Sequence, residues 1–166
     1  MKIDILCVGK VKESFYRDAI DEYKKRLSRY ADLSILEVQD EKTPDRASDA
    51  EEREIKRKEG ERLLKYLQTS AGNVSGKAYI VTLEINGKEL GSEQLADKIE
   101  QLGISGVSHI QFVIGGSLGL SDEVISKADM HLSFSKMTFP HQLMRVILLE
   151  QIYRSYRIIS GEPYHK

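Results

Sequence analysis

The sequence is 166 residues long, about the length of one domain, and is 40% hydrophobic and 31% charged. Its 25 Lys and Arg residues nearly balance 26 Asp and Glu residues, for a net charge of −1, so bulk charge gives no argument for a nucleic-acid-binding protein. The single cysteine, Cys7, excludes an intrachain disulfide and a thiolate metal cluster, and no apolar run approaches the roughly 20 residues that span a bilayer. We expect one cytosolic domain, residues 1–166, with Cys7 buried in a strand.

Apolar runs alternate with helical periods along the chain, which predicts repeated β and α units. This alternation is typical of an α/β fold with a mainly parallel sheet and helices on both faces. Ser48 and Glu51 have the spacing of a capping box, which fixes the start of a long charged helix on the outside of the fold. The segment 69–77, rich in Gly and Ser, predicts a flexible connection. In chain order the predicted elements are strand 2–8, helix 15–29, strand 33–38, helix 48–69, strand 78–83, helix 92–102, strand 110–114, strand 131–133 and helix 141–160.

The last predicted helix, 141–160, is apolar on far more than one side. One side can pack on the sheet, and the other most economically meets a second subunit, because a chain of this length has few further layers to offer. The alternative is a central core helix in a monomer.

Two segments, 10–30 and 131–166, each carry three more positive than negative charges. Brought together in space, they could guide a phosphate backbone. Helices that simply keep a solvated charged face would have the same composition, so both interpretations stay open.

Two loops near the C-terminal half carry the clearest functional signal. The strand at 110–114 runs into a turn with Gly115, Gly116 and Gly119, and the strand at 131–133 runs into the segment 134–140, FSKMTFP. Small ligands bind where loops leave the carboxyl ends of strands in an α/β sheet, and glycines let the backbone approach such a ligand closely. A pair of tight turns is the simpler alternative.

The glycine turn lacks the spacings of the known phosphate-binding loops, GxGxxG and GxxxxGK followed by Ser or Thr. A ligand that is recognised by main-chain groups and has no phosphate therefore fits this turn better. Phe134, Met137 and Phe139 could form an apolar slot for a flat ring, or they could be ordinary core residues. Ser121 is placed to cap a short helix after the turn.

The sequence offers little evidence for other kinds of catalytic site. The four histidines, His109, His131, His141 and His165, show no metal-binding spacing, and no GxSxG nucleophile elbow is present. We expect no metal site, and each histidine taken alone is more typical of a structural or exposed position.

The segments FVIGGSLGL, SKMTFPHQLMRVILLEQIYR and the final PYHK together resemble the RlmH family. The resemblance extends over essentially the whole chain, from the opening MKIDILCVGK onward. Members of this family are SPOUT-class methyltransferases, which use S-adenosylmethionine to methylate N3 of a pseudouridine in 23S ribosomal RNA. The resemblance implies a SPOUT-type fold with a C-terminal trefoil knot, and a homodimer whose cofactor pockets lie at the interface. Periodicity and spacing do not indicate a knot, a topology that is otherwise very uncommon.

The same resemblance assigns the cofactor residues. The pocket would use Leu83, Gly115, Phe134, Ser135, Lys136, Met137, Thr138 and Phe139. The expected reaction also requires the imide proton to leave, and for this step His165 is the best available base or proton conduit. Tyr164 could orient the target base, and Arg154 could hold phosphate or favour the ionised imide. Against these roles, a tail histidine is usually solvated, and Arg154 lies four residues after Glu150, the spacing of a helical ion pair.

The expected activity is therefore an rRNA methyltransferase acting on assembled ribosomal particles in the cytoplasm, because a protein without a strong basic field binds naked RNA poorly. Two alternatives remain at this point. One is a SPOUT methyltransferase that acts on tRNA, and the other is a non-catalytic, ribosome-binding dimer with an empty pocket.

Overall fold

The computed structural model describes residues 1–73 and 78–164. Strands and helices alternate along most of the chain, as the apolar pattern predicts. The elements are β1 (Lys2–Val8), α1 (Ser14–Leu27), β2 (Asp32–Val38), α2 (Asp49–Asn73), β3 (Tyr79–Glu89), α3 (Ser92–Ile104), β4 (His109–Ile114), α4 (Asp122–Ile125), β5 (Met130–Ser133) and α5 (His141–Ile159).

The described strands form one sheet in the order β2-β1-β4-β3-β5, and all of its pairings are parallel. The chain therefore leaves every strand at the same edge, which we call the carboxyl edge. The central strands β1 and β4 are buried almost throughout, as expected for a sheet that is covered on both faces.

Helices cover both faces of the sheet. On one face α1, α3 and α5 pack on side chains such as Ile3, Ile5 and Phe112. On the other face α2 and α4 cover Leu6 and Val113. The predicted fold class is confirmed, and Cys7 is buried in β1 as expected.

The predicted start of α2 is also confirmed. The amide of Ser48 donates to Glu51 Oε2 at 2.8 Å, and the amide of Glu51 donates back to Ser48 Oγ at 3.3 Å. Within residues 49–67 of α2, only a narrow stripe is buried, including Ile55, Leu63 and Leu67, so this part of the helix lies on the outside of the fold. Its end was predicted wrongly: α2 continues to Asn73, so the first part of the expected connection 69–77 is helical, and residues 74–77 lie outside the described residues.

The prediction for β3 was too short. The strand was expected to end at residue 83, but it continues to Glu89 and pairs with β5 a second time after a register shift between Leu83 and Lys88. The pair Asn86-Gly87 resembles a turn in sequence, yet here it lies in a strand. A Cβ added at Gly87 would lie 2.7 Å from the backbone carbon of Leu132, so this glycine allows the two strands to approach closely.

The long helix α5 packs between neighbours on the sheet face and contacts both α1 and α3. Every residue of α5 is buried or half-buried. Its fully buried side, with Leu148, Leu149 and Ile152, faces the core. The opposite side is a stripe of half-buried residues at spacings of four and three, namely Leu143, Ile147, Glu150, Arg154 and Ile158. No helix among the described residues is long and apolar enough to cross a membrane.

Candidate active site

A cavity of about 700 Å³ opens at the carboxyl edge of the sheet. Its volume lies within the range of about 300–1,000 Å³ that is usual for small-molecule sites. Four segments build it: residues 83–86 within β3, the glycine turn after β4, the loop after β5 and the start of α5. The two loops leave parallel strands at this edge, and β3 continues past the end of β4 beside them, because Leu83 pairs with Ile114.

The structure brings most of the predicted cofactor residues together in this cavity. Those that line it are Leu83, Gly115, Phe134, Ser135, Met137, Thr138 and Phe139. Lys136 belongs to the same loop but does not line the cavity; its ammonium lies 4.0 Å from Glu89 Oε1 on the surface. Ser135 Oγ accepts a hydrogen bond from the amide of Met137 at 3.0 Å, which fixes the bend of the loop.

The glycine turn is folded tightly on itself. Gly116 and Gly119 form an antiparallel bridge, and Gly119 has a φ of +84°, in the left-handed region that favours glycine. A Cβ added at Gly115 would lie 2.6 Å from the carbonyl carbon of Gly119. Glycine at this position is therefore required by contact across the turn itself. The predicted capping of the following short helix is confirmed, because Ser121 Oγ accepts from the amide of Val124 at 3.4 Å.

A buried carboxylate supports the glycine turn from below. Glu59 on α2 is 4% exposed, and its Oε1 accepts a hydrogen bond from the amide of Glu41 at 2.9 Å. Its Oε2 is buried without a hydrogen-bond partner, and a Cβ added at Gly116 would lie 2.8 Å from this atom. Burial raises the pKa of Glu59, and the nearby acids Asp40 and Glu41 raise it further.

Sequence reasoning missed part of the cavity wall. Glu84, Ile85 and Asn86 line the cavity because β3 continues past Leu83, and His141 and Met144 line it from the start of α5. Glu84 could have been found from the sequence, because it is a polar residue directly after the apolar strand 78–83. The predicted strand ended one residue before it, so Glu84 was not considered.

A buried arginine fixes the start of α5 to the carboxyl edge. Arg145 is fully buried; its guanidinium donates to the carbonyl oxygens of Val8 and Gly9 and pairs with Glu37 Oε1 at 2.5 Å. Burial lowers the pKa of the neighbouring His141, and the Arg145 charge lowers it further, so this histidine is neutral at pH 7.

Two of the three predicted catalytic groups, Arg154 and Tyr164, lie away from the cavity. Arg154 is ten residues beyond the cavity-lining Met144, which corresponds to about 15 Å along the helix. The Arg154 guanidinium donates to Glu150 Oε1 at 2.6 Å and covers the ring of Tyr164 at 4.7 Å. Neither Arg154 nor Tyr164 lines the cavity, and His165 lies outside the described residues.

Tyr164 is held in an aromatic cluster at the far end of α5. Its hydroxyl donates to Glu150 Oε1 at 3.3 Å, and its ring packs edge-on against Tyr153 with centroids 5.0 Å apart. Partial burial raises the pKa of Tyr164 to about 12, with further contributions from Tyr23 and Glu150. The phenol therefore stays protonated at neutral pH and can donate a hydrogen bond.

The two basic segments of the sequence do lie side by side, because α1 packs against α5. Several of their cations are paired with acids: Arg26 with Glu22 at 2.8 Å and Arg157 with Glu162 at 2.5 Å. This pairing weakens the local positive field, and it favours the interpretation of these helices as ordinary charged faces.

The remaining chemical groups do not form a second centre. Burial raises the pKa of the Cys7 thiol to about 12, which leaves it inert as a nucleophile. His109 is buried and its Nε2 lies 2.8 Å from Asp4 Oδ2, a structural pair far from the carboxyl edge. Within residues 1–73 and 78–164, no group of three His, Cys, Asp or Glu side chains is arranged to hold a metal ion.

Comparison with known proteins decides the family. The family model described as "Predicted SPOUT methyltransferase" matches residues 1–165. The chain belongs to the SPOUT methyltransferase family. It is 63% identical to the ribosomal RNA large subunit methyltransferase H of Bifidobacterium animalis subsp. lactis strain AD011, and 61% identical to the protein of the same name from Bifidobacterium adolescentis strain ATCC 15703, over 100% of both chains in each case.

The SPOUT architecture is also seen in a more distant solved structure, the tRNA (m1G37) methyltransferase of Aquifex aeolicus. The two structures agree with a TM-score of 0.55 at 13% identity, over 93% of this chain and 70% of that chain. At this identity the likeness shows the fold alone. The knot that the SPOUT resemblance implies stays a prediction.

Proposed function

We propose that this chain transfers the methyl group of S-adenosylmethionine to N3 of a pseudouridine in 23S ribosomal RNA, acting as one domain on the assembled ribosome in the cytoplasm. The full-length similarity to the named rRNA large subunit methyltransferases carries this proposal. The net charge of −1 supports a ribosomal particle as substrate. A protein without a strong positive charge binds naked RNA weakly, so it must recognise the shape of a folded surface.

The cavity fits S-adenosylmethionine in size and in chemistry. Its lining is mostly apolar, and the glycine turn and the loop after β5 contribute the polar residues Ser117, Ser135 and Thr138. The ligand carries no phosphate, which agrees with the missing phosphate-loop spacings. Phe134, Met137 and Phe139 form the slot for the adenine ring, and Leu83 and Gly115 bring main-chain groups to the ligand. When bound, S-adenosylmethionine supplies a methyl group on a positively charged sulfur.

The chain's own residues position the target and remove its proton. A ring nitrogen must approach the methyl carbon in line with the sulfur, so holding the base still contributes much of the rate. Tyr164, protonated at neutral pH, orients the base; Arg154 favours the ionised imide, and His165 accepts the imide proton. The hydrogen bond to Glu150 holds the pKa of Arg154 above its ordinary value, so it stays cationic.

A homodimer resolves the separation between the cavity and these groups. The outward stripe of α5 contains the aliphatic residues Leu143, Ile147 and Ile158 beside Arg154, which makes it a suitable surface for a second copy. With two copies joined along this stripe, Arg154, Tyr164 and His165 of one subunit serve the cavity of the other. The substitution Ile147→Asp is expected to convert a dimer to monomers in light-scattering measurements and to abolish methyl transfer.

The deciding experiment offers labelled S-adenosylmethionine with purified 70S ribosomes, naked 23S rRNA or bulk tRNA. We expect label in the ribosome alone, and mass spectrometry of its nucleosides to find N3-methylpseudouridine. Label in tRNA would replace this proposal with the tRNA alternative. A protein that binds ribosomes but gives no calorimetric signal with millimolar S-adenosylmethionine would be the non-catalytic dimer.

A further inference from the structure

The cavity wall contains a single carboxylate among the described residues. This carboxylate is Glu84, which directly follows Leu83 on β3 and has a side chain that is 19% exposed to solvent. The only other ionisable side chain in the described lining is His141, at the start of α5. In a wall that is mostly apolar, one carboxylate selects for a ligand that offers hydroxyl or cationic donors.

One oxygen of this carboxylate is held in place by two neighbours. Glu84 Oε1 accepts from the hydroxyl of Thr82 at 2.5 Å and from His131 Nδ1 at 2.7 Å. A carboxylate oxygen only accepts, so the geometry assigns a hydrogen to Nδ1 of His131. Thr82 is fully buried on β3 and faces His131 of β5 in the sheet register, so both partners are supported by the backbone.

The second oxygen of Glu84 makes no hydrogen bond to any of the described residues. The side chain is thus fixed through Oε1, which leaves Oε2 without a described partner on a residue that lines the cavity. Because the side chain is already ordered, little conformational entropy is lost when it binds a ligand. Residues that determine ligand specificity usually have this property.

We propose that Glu84 binds the ribose hydroxyls of the adenosyl group and that His131 positions it for this contact; the inference rests on the proposed function. A hydroxyl that donates to an ionised oxygen makes a strong, charge-assisted hydrogen bond. The sulfonium is the poorer partner for Glu84. Its charge is lost during transfer, so a carboxylate beside it would stabilise the bound cofactor more than the transition state and slow the reaction.

Calorimetry with three ligands tests this assignment. S-adenosylmethionine carries the sulfonium and the amino-acid tail, S-adenosylhomocysteine keeps only the tail, and 5′-methylthioadenosine has neither, while all three keep the ribose. Glu84→Gln is expected to weaken all three equally, by about tenfold. Glu89→Gln, an exposed carboxylate farther along β3 and outside the cavity lining, is the matched control and should leave all three affinities unchanged.

Unequal losses would overturn the assignment. A loss for S-adenosylmethionine alone would mean that Glu84 contacts the sulfonium, and a loss for both tailed ligands but not 5′-methylthioadenosine would mean that it contacts the ammonium group. No loss for any ligand would remove Glu84 from the site. If the unsubstituted protein binds none of the three, the proposed function itself fails, which is a separate result.

The ribose contact can also be tested by changing the ligand, beginning with the unsubstituted protein. The unsubstituted protein is expected to bind adenosine about tenfold more tightly than 2′-deoxyadenosine or 3′-deoxyadenosine, and Glu84→Gln should lose this preference. His131→Ala should reduce the preference, and His131→Asn, whose amide can donate from nearly the same place as Nδ1, should restore it. Equal binding of adenosine and both deoxynucleosides by the unsubstituted protein would contradict the inference.

Discussion

The two ends of α5 differ in the chemistry they offer. At its start, the helix borders a cavity with a mostly apolar wall, in which Glu84 is the one described carboxylate. At its end, about 15 Å beyond the cavity, Arg154 and Tyr164 surround Glu150, and the sequence places His165 next to them. The first end is suited to holding a cofactor and the second to handling the charge and proton of a base.

In one copy of the chain, the cavity is therefore separate from the cluster of Arg154 and Tyr164. The far end of α5 is stabilised by its own contacts, the Arg154–Glu150 pair and the Tyr153–Tyr164 ring contact, so it holds its arrangement without a partner. A preformed element of this kind would lose little entropy on meeting the second subunit of the proposed dimer. Substitutions at the two ends allow their functions to be compared directly.

The largest effect is expected at the cavity end from Gly115→Val. The new side chain would collide with the backbone of Gly119 across the turn, so the turn must open and its main-chain groups must move. We expect affinity for S-adenosylmethionine to fall at least about a hundredfold in calorimetry, with methyl transfer lost in parallel. Gly103→Ala on α3, where a Cβ would make an ordinary contact at 3.7 Å with Met1, should bind normally. Normal affinity in a folded Gly115→Val protein would remove the turn from the site.

The prediction that ligands bind at strand ends located this turn correctly, but it gave an incomplete reason for glycine at position 115. Spacing and strand ends predicted that Gly115 and residues 134–139 would meet, because parallel strands release their loops at one edge. The expectation was that glycine at position 115 lets the backbone approach a ligand closely. The structure shows that a side chain at Gly115 would first collide with Gly119 on the opposite side of the turn. This contact depends on how the turn bends, which no local sequence pattern specifies.

Other parts of the site depended on tertiary pairing. Glu84 was missed because β3 continues through Asn86-Gly87, a pair that usually forms a turn, and only the close approach of β5 makes it a strand. Arg145 gave no sequence signal of burial, since its partners are carbonyl groups of β1 that lie more than 130 residues away. The roles of Arg154, Tyr164 and His165 were inferred from the chemistry of the reaction that the family resemblance implies, and they stay predictions.

The same substitution at the two ends should separate stability from catalysis. Arg145→Met leaves two buried carbonyl groups and Glu37 without their partner, so we expect a loss of about 3 kcal/mol in the free energy of unfolding. Arg154→Met breaks a partly exposed pair and should cost less than about 1 kcal/mol, while methyl transfer falls sharply. Urea titrations measure the first quantity and single-turnover rates the second. Equal destabilisation by the two substitutions would contradict the contrast between the ends.

A mixed dimer tests whether the far end serves the partner's cavity. His165→Ala alone should leave cofactor binding intact and slow transfer by about a hundredfold, the usual contribution of a general base. In a dimer of one Gly115→Val chain and one His165→Ala chain, the intact cavity and the intact tail lie on different subunits. We expect such purified mixed dimers to recover about half of the original activity. An inactive mixed dimer would mean that each tail serves its own cavity, and full activity of His165→Ala would exclude it as the base.

The smallest effect is expected beneath the glycine turn, from Glu59→Gln. Burial raises the pKa of Glu59, so the folded state binds its proton more tightly than the unfolded state does. Its contribution to stability is therefore fully present below the unfolded value near 4.5 and is lost as pH rises through the raised pKa. Glu59→Gln should be more stable than the original protein at pH 7, and the difference should vanish near pH 4. Glu51, whose pKa is lowered by its hydrogen bonds to Ser48, provides the opposite sign: Glu51→Gln should be less stable at pH 7 and equal at low pH. Urea titrations of both variants at the two pH values measure these signs, and a Glu59→Gln protein that is destabilised at pH 7 would mean that the carboxylate beneath the turn is needed in its charged form.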